Sequence, residues 1–122
     1  VITGTANYAG GWHHMAATCD LSSSGTTMRL YFDGTEIANG SGNRSGNAFG
    51  NLNLDIGAFN DASGTPTNFW LGNIDEFAVF NYVLTSRQIK QDIYNGTTSG
   101  KTADLNNNSN LTPPVAWYRM GD

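Results

Sequence analysis

One short stretch constrains the fold of this chain more than any other: MRLYFDGTEIA, residues 28–38. Its apolar side chains alternate between residues 28 and 32, which is the period of a half-buried β-strand. The dipeptide Asp33-Gly34 follows, and these residue types readily adopt the positive φ angles of a two-residue hairpin turn. Ile37 resumes the apolar pattern, so the stretch predicts two antiparallel strands joined by a tight turn.

Two further stretches carry the same period. WHHMAATC, residues 12–19, predicts a strand with Met15, Ala17 and Cys19 on one face. NLNLDIGAF, residues 51–59, predicts another half-buried strand. Polar segments rich in Gly, Asn and Ser are expected to be loops between the strands, and they cover residues 21–27, 39–51 and 60–68.

The segment FWLGNIDEFAVFNYV, residues 69–83, is apolar at consecutive positions, which predicts strand structure covered on both faces. After it, Thr85 and Gln88 form a capping-box pattern, and Asn95-Gly96 is typical of a left-handed helix end. These signals predict one short helix near residues 86–94.

Composition supports a β-rich chain and excludes several classes of function. Charged residues make up 13% of the sequence, against a typical share of about 25%. The formal net charge is −4 and the six Lys and Arg residues are scattered, so we expect no nucleic-acid partner. No apolar run is long enough for membrane insertion. Cys19 is the one cysteine, and we expect it to be a small core residue.

The order of these patterns resembles the laminin-G-like domain of the concanavalin-A-like jelly-roll family. The segments that carry the resemblance are GWHHMAATCD, MRLYFDGTEIA, NLDIGAFN and IDEFAVFNYVLTSRQIKQDIYNG, which together span about residues 11–96. The resemblance implies an all-β fold, an antiparallel concanavalin-A-like jelly-roll β-sandwich with the one short helix.

The last segment, VAWYRMGD, resembles the opening strand of the same family. We therefore expect residues 1–96 to be the C-terminal portion of a LamG-like jelly-roll domain and residues 97–112 to be a polar Asn/Ser/Thr linker. Residues 113–122 would then be the opening strand of a following domain, in an excerpt of a tandem array like those of marine phages and related viruses. The alternative is that VAWYRM closes a sheet by strand addition, either donated to a neighbouring copy or folded back.

Catalysis is not indicated by the sequence. A retaining glycosidase needs two carboxylates about 5 Å apart on one face, whereas the adjacent Asp75 and Glu76 of a strand point to opposite faces. His13 and His14 likewise point apart and cannot chelate one metal together. By the family pattern, one imidazole should be buried and hydrogen-bonded while the other lies outside.

A sugar site requires an aromatic platform and polar groups for the hydroxyls. Phe69 and Trp70 directly follow the polar loop 60–68 and are the expected platform. Asn60 and Asp61 in that loop are further candidates for glycan contacts. Weaker candidates are Tyr8 and Asn7 before the first strand, and Tyr31.

Asp75 is the candidate metal ligand. Its place in IDEFAVF resembles that of an aspartate which binds a structural calcium in related β-glucanases, and calcium prefers oxygen ligands. The alternative is that Asp75 or Glu76 binds the backbone of the opening strand and locks the sheet edge.

These patterns predict a non-enzymatic module of an extracellular or virion-surface structural protein. The resemblance favours adhesion or carbohydrate recognition, as in a phage tail fibre, an appendage or a capsid decoration. Expected partners are a glycan or host-surface polysaccharide, other copies of the chain, and neighbouring structural subunits. A purely architectural subunit that assembles through strand addition is the alternative, and a glycanase domain is the least favoured.

Overall fold

The computed structural model describes residues 2–6, 10–22, 25–42, 54–60, 64–96 and 103–120. The strands are β1 (Met15–Ser22), β2 (Gly25–Phe32), β3 (Thr35–Gly42), β4 (Phe59–Asn60), β5 (Pro66–Thr67), β6 (Phe77–Val79) and β7 (Ala116–Tyr118). The helix α1 spans Gln88–Tyr94. All strand pairs are antiparallel, in sheets of order β1-β2-β3, β4-β5 and β6-β7. An antiparallel all-β fold with one short helix is thus confirmed for the described residues.

The predicted hairpin is β2-β3, and its turn has the predicted geometry. Asp33 and Gly34 have φ angles of +47° and +72°, as a two-residue turn of the right twist requires. A bulge interrupts the β2-β3 register between Leu30 and Tyr31. The loop expected at residues 21–27 is wrong in its described part, because β1 runs to Ser22 and β2 begins at Gly25. Residues 23–24 lie outside the described residues.

Two other strand predictions need correction. The strand expected at residues 51–59 is absent from its described part, residues 54–58, and strand structure begins at Phe59. Within residues 69–83, Phe77–Val79 is the strand that forms, and Phe69 and Leu71 are exposed rather than covered on both sides. Apolar runs without a clear period do not by themselves fix strand length, because burial depends on what packs against them.

Helix α1 begins at the predicted capping box. The Gln88 N–H donates to Thr85 Oγ1 at 3.2 Å, and the Thr85 N–H donates to Gln88 Oε1 at 2.9 Å. The helix is of π type, since the Asn95 N–H donates to the carbonyl of Lys90, five residues earlier, at 2.9 Å. The predicted left-handed end is wrong, because Asn95 has φ −83°.

The buried core lies on one face of the β1-β2-β3 sheet. Its members are Tyr31, Leu84, Ile89, Ala103, Leu105 and Leu111. Tyr31 is 2% exposed, and its hydroxyl lies 2.9 Å from Ser86 Oγ beside the helix. Helix α1 and residues 103–111 therefore cover the Tyr31 face of the sheet.

The opposite face of the sheet is apolar and partly open, although Thr26 on this face is buried and the Ile2 side chain lies close to Gly40. The register pairs Met15 with Phe32, Ala17 with Leu30 and Cys19 with Met28, so the predicted apolar face exists. However, Met15 is 57% exposed and Met28 is 41% exposed. Among the described residues, the helix and the later segments pack on the Tyr31 face instead.

Residues 103–111 and β7 both pack against earlier parts of the chain. Ala103, Leu105 and Leu111 are buried, and β7 pairs with β6. The predicted domain limits at residues 96 and 112 stay predictions. In the described part of the chain, none of the helical structure has the length and apolar character needed to cross a membrane.

Candidate functional site

The candidate site is an open aromatic depression at the β4-β5 hairpin. It has a volume of about 570 Å³. Its lining residues, which we call the aromatic depression, are Gly57, Ala58, Phe59, Asn68, Phe69, Trp70, Leu71 and Ile74. Three of its side chains are aromatic and largely solvent-exposed: Phe59 at 61%, Phe69 at 65% and Trp70 at 50%.

The short hairpin holds these rings together. Phe59 pairs with Thr67, and the Thr67 hydroxyl donates to the Phe59 carbonyl at 3.2 Å. The Trp70 N–H donates to the carbonyl of Gly57 at 2.8 Å, which joins the residues after β5 to those before β4. Asn68 adopts φ +49°, and this left-handed turn redirects the chain between β5 and the rings of Phe69 and Trp70.

The depression offers stacking surface and a small number of polar groups. Asn68 has an exposed carboxamide, which can both donate to and accept from hydroxyl groups. Within the described residues, the lining contains no carboxylate and no cationic side chain. Such a surface suits a neutral ligand with an apolar face and a polar edge.

Phe69 and Trp70 therefore lie together where the sequence placed them, and their role as sugar contacts stays a prediction. The backbone of Asn60 belongs to β4, while its side chain lies outside the described residues, as do Asn7, Tyr8 and Asp61. Phe59 was missed by the sequence analysis. Its signal was its position directly before the same polar loop that Phe69 and Trp70 follow. Tyr31, another weaker candidate, is buried and does not reach the surface.

A second polar cluster forms where β7 meets Asp75 and Glu76. The Trp117 indole N–H donates to Glu76 Oε2 at 2.6 Å, and Arg119 Nε donates to Glu76 Oε1 at 3.3 Å. The Met120 N–H donates to Asp75 Oδ1 at 2.8 Å. Asp75 thus binds the backbone of the segment that resembles a family opening strand, and Glu76 binds two of its side chains. This is the arrangement expected as the alternative to calcium binding.

Calcium at Asp75 stays a prediction, and the donor set around it is sparse. Asp75 Oδ1 accepts both the Met120 N–H and the Glu76 N–H, each at 2.8 Å. Across the described ranges, no group of three or more His, Cys, Asp and Glu side chains converges as a metal site would require. Since calcium takes six to eight oxygen ligands, Asp75 and Glu76 alone do not fit the ion.

The two histidines lie on opposite faces, and both contact Asp33 in the β2-β3 turn. His13 Nδ1 lies 2.8 Å from Asp33 Oδ2, and its ring stacks on Phe32 at 4.8 Å. The His14 N–H donates to Asp33 Oδ1 at 2.9 Å, and its ring lies 6.1 Å from that of Tyr94. Both imidazoles are partly buried, so the expectation that one would lie outside is wrong.

Burial, charge and hydrogen bonding shift the pKa values of His14 and Asp33 at this turn. Burial lowers the pKa of His14, against the opposing effect of the Asp33 carboxylate. Partial burial raises the pKa of Asp33, but the hydrogen bonds from the His14 N–H and the His13 ring outweigh it and leave that pKa below its usual value. The arrangement is a structural clamp on the turn.

A buried carboxylate that the sequence did not single out joins the helix to the later segment. Asp92 is buried, and its carboxylate accepts from Asn110 Nδ2 at 2.9 Å and from Arg87 at 3.3 Å. Asn108 Nδ2 donates to the Asp92 carbonyl at 3.2 Å. The asparagines of residues 103–110 therefore fasten this segment to the helix, which composition alone could not indicate.

Comparison with known proteins gives one match. A search of curated proteins and a search of solved structures each returned no match to this chain. The family model of the concanavalin A-like lectin/glucanases superfamily, named for a laminin G type of domain, matches residues 1–90. This match covers most of the chain, including the β2-β3 hairpin, the aromatic depression and the start of helix α1. The chain therefore belongs to the concanavalin A-like lectin/glucanases superfamily, as a laminin-G-like domain.

Proposed function

We propose that this chain is a non-enzymatic carbohydrate-recognition module, and that the aromatic depression is its sugar site. We place it in an extracellular or virion-surface structural protein that serves adhesion, such as a phage tail fibre, an appendage or a capsid decoration. The family membership supports carbohydrate binding in general, because lectins belong to the superfamily. The finer placement rests on the resemblance of the sequence to tandem jelly-roll modules.

The observation that carries the proposal is the exposure of three rings around one depression. Phe59, Phe69 and Trp70 are each at least half exposed, and they converge from two ends of one hairpin. Exposed aromatic groups that are held in place by backbone hydrogen bonds provide a rigid stacking surface. The apolar face of a pyranose ring can stack on such a surface while its hydroxyls bond to Asn68 and to nearby backbone groups.

The absence of acidic groups in the depression supports a binding role over hydrolysis. Glycoside hydrolysis uses a pair of carboxylates that flank the bond to be cleaved. No carboxylate lines the described depression, and the adjacent Asp75 and Glu76 are engaged by β7. A bound polysaccharide should therefore be recovered intact after incubation with the chain.

An architectural role is the second candidate, and a separate observation favours it. The open sheet face carries Met15 and Met28, both well exposed, and large exposed apolar patches mark interfaces with other proteins. In that role the module would connect structural subunits without binding sugar. Partners would then be other copies of the chain or neighbouring subunits.

Glycan-array binding followed by titration calorimetry tests the proposal. For a polysaccharide that the chain binds, Trp70→Ala should weaken binding at least tenfold, about 1.4 kcal/mol, because a stacking surface is removed. The matched control is Trp12→Ala, since Trp12 is 70% exposed but does not line the depression. Equal affinity of Trp70→Ala and the unaltered chain, or no glycan binding at all, would reject the sugar site and favour the architectural role.

A further inference from the structure

The edge of strand β6 is paired with β7 over three positions. Phe77 pairs with Tyr118, Ala78 with Trp117 and Val79 with Ala116. Beyond these pairs, the Val115 N–H donates to the Val79 carbonyl at 2.8 Å. Pairing of this kind is how an extended peptide binds to an exposed sheet edge, with the backbone giving affinity and the side chains giving specificity.

The side chains around this edge recognise the sequence of β7. Successive side chains of a strand alternate, so Trp117 and Arg119 lie on one face, where both reach Glu76. The Arg119 guanidinium also lies 5.0 Å from the centre of the Trp117 ring. One carboxylate, that of Glu76, therefore binds both the tryptophan and the arginine two residues after it.

Charge and backbone geometry complete the recognition. Asp75 and Glu76 present two carboxylates, and the strand that meets them brings the cation Arg119. Glu76 adopts φ +54°, an uncommon conformation for a residue with a side chain, and here it accompanies the double contact of its carboxylate with β7. Opposite charges and paired hydrogen bonds make the fit selective for this strand sequence.

We propose that the β6 edge with Asp75 and Glu76 is a receptor for a strand of sequence AWYR, and that a second copy of the chain supplies this strand in the assembled protein. One chain contains both the receptor and its ligand strand. Every contact that holds β7 within one chain is therefore available between two chains, which is the condition for exchange of an identical element. This inference does not depend on glycan binding.

The segment before β7 suits such an exchange. The Thr112 N–H donates to Tyr82 Oη at 3.1 Å, and the Tyr82 hydroxyl donates to the Thr112 carbonyl at 3.0 Å, so the chain is anchored just before the strand. Pro113 and Pro114 follow this anchor, and proline has no N–H for a sheet. Two consecutive prolines form a semi-rigid spacer, which can direct β7 towards a neighbouring receptor.

Disulfide trapping between two single-cysteine variants tests the proposal. Both carry Cys19→Ala, which removes the native thiol; one adds Val79→Cys and the other adds Ala116→Cys, at positions that are paired across β6 and β7. The two variants are unfolded together, refolded at high concentration and oxidised. Neither can form an internal disulfide. One variant carries an affinity tag that raises its mass, so the mixed disulfide separates from both homodimers on a non-reducing gel and reports exchange.

Controls separate exchange from collision. In the matched control, Ser41→Cys in β3, an exposed position, replaces Val79→Cys. We expect at least tenfold more mixed disulfide for the Val79/Ala116 pair than for the Ser41/Ala116 pair. Adding Trp117→Phe to the Ala116→Cys variant should reduce the yield severalfold, because the indole donor to Glu76 is lost.

A third variant makes the negative result informative. A single chain with both Val79→Cys and Ala116→Cys should close an internal disulfide at low concentration. If it does so while the mixed pair gives no more product than the Ser41 control, β7 stays within its own chain and the proposal is rejected. If neither forms, the β6 edge does not bind this strand at all, which also rejects it.

Discussion

The indole N–H of Trp117 donates to Glu76 Oε2 at 2.6 Å, across 41 positions of sequence. This bond joins the strand that resembles a family opening strand to the start of the strand that resembles a closing strand. It is shorter than the contacts of Arg119 with Glu76 and of Met120 with Asp75, and the Glu76 carboxylate is largely shielded from water. The pairing of β7 with β6 is therefore supported by two particular side chains, those of Trp117 and Glu76.

Replacing Trp117 with Phe should lower the free energy of unfolding by about 1–2 kcal/mol, because a hydrogen bond to a charged group is lost while an aromatic ring is kept. Urea unfolding followed by circular dichroism measures this change. The control Trp12→Phe should alter the stability by less than about 0.5 kcal/mol, since Trp12 is mostly exposed. Equal effects of the two substitutions would contradict a role for the Trp117–Glu76 bond.

Gly34→Ala should destabilise the chain by more than about 1 kcal/mol, because Gly34 has φ +72° and left-handed backbone is unfavourable for residues with a Cβ. The added Cβ would also lie 3.0 Å from Tyr94 Cδ1 and 3.2 Å from Lys90 Cα. Gly42→Ala is the matched control, since its added Cβ meets nothing within 4 Å. Thermal unfolding of both variants checks the difference, and similar melting temperatures would argue against the tight turn.

A double-mutant cycle can test the contact between the sheet and the helix. Tyr31→Phe and Ser86→Ala each remove one partner of a 2.9 Å hydrogen bond at the buried end of the Tyr31 side chain. We expect a coupling free energy of about 0.5–1.5 kcal/mol between the two substitutions in urea unfolding. Strictly additive effects would contradict a hydrogen bond between Tyr31 and Ser86.

Stability should fall as the pH is lowered from about 7.5 to 5, because of His14. Burial lowers the pKa of His14 from its ordinary value of 6.5, so the unfolded chain takes up the proton first. The stabilising contribution is complete above pH 6.5 and is lost as the pH falls from there towards the lower pKa of the folded state. The pKa of Asp33 is also lowered, but from 3.8, so its contribution is lost only in more acidic solution.

Urea midpoints measured at pH 7.5, 6.5, 5.5 and 5.0 check this prediction. His14→Gln should flatten the dependence over this range, since a neutral side chain takes up no proton. The unaltered chain and His14→Gln would show the same slope if His14 carried no shifted pKa.

The candidate site was partly accessible from the sequence. Phe69 and Trp70 were expected to form a sugar platform because they follow a polar loop, although the apolar run that they begin predicted burial on both faces. Both residues line the aromatic depression. Phe59 joins them only because β4 and β5 pair, and the strand pairing is not encoded by the spacing of the aromatic residues. The approach of Trp117 to Glu76 was likewise beyond local patterns, although the sequence left open that VAWYRM closes a sheet by strand addition.

The sequence by itself determined the β2-β3 hairpin, its Asp33-Gly34 turn and the Thr85–Gln88 capping box. Each of these depends on interactions between residues only a few positions apart. The tertiary structure decided which face of the sheet is buried. Alternation placed Met28 and Tyr31 on opposite faces of the sheet. Both side chains are large and largely apolar, so the period alone could not predict which face would be buried. The helix and residues 103–111 pack on Tyr31, and burial follows from that non-local packing.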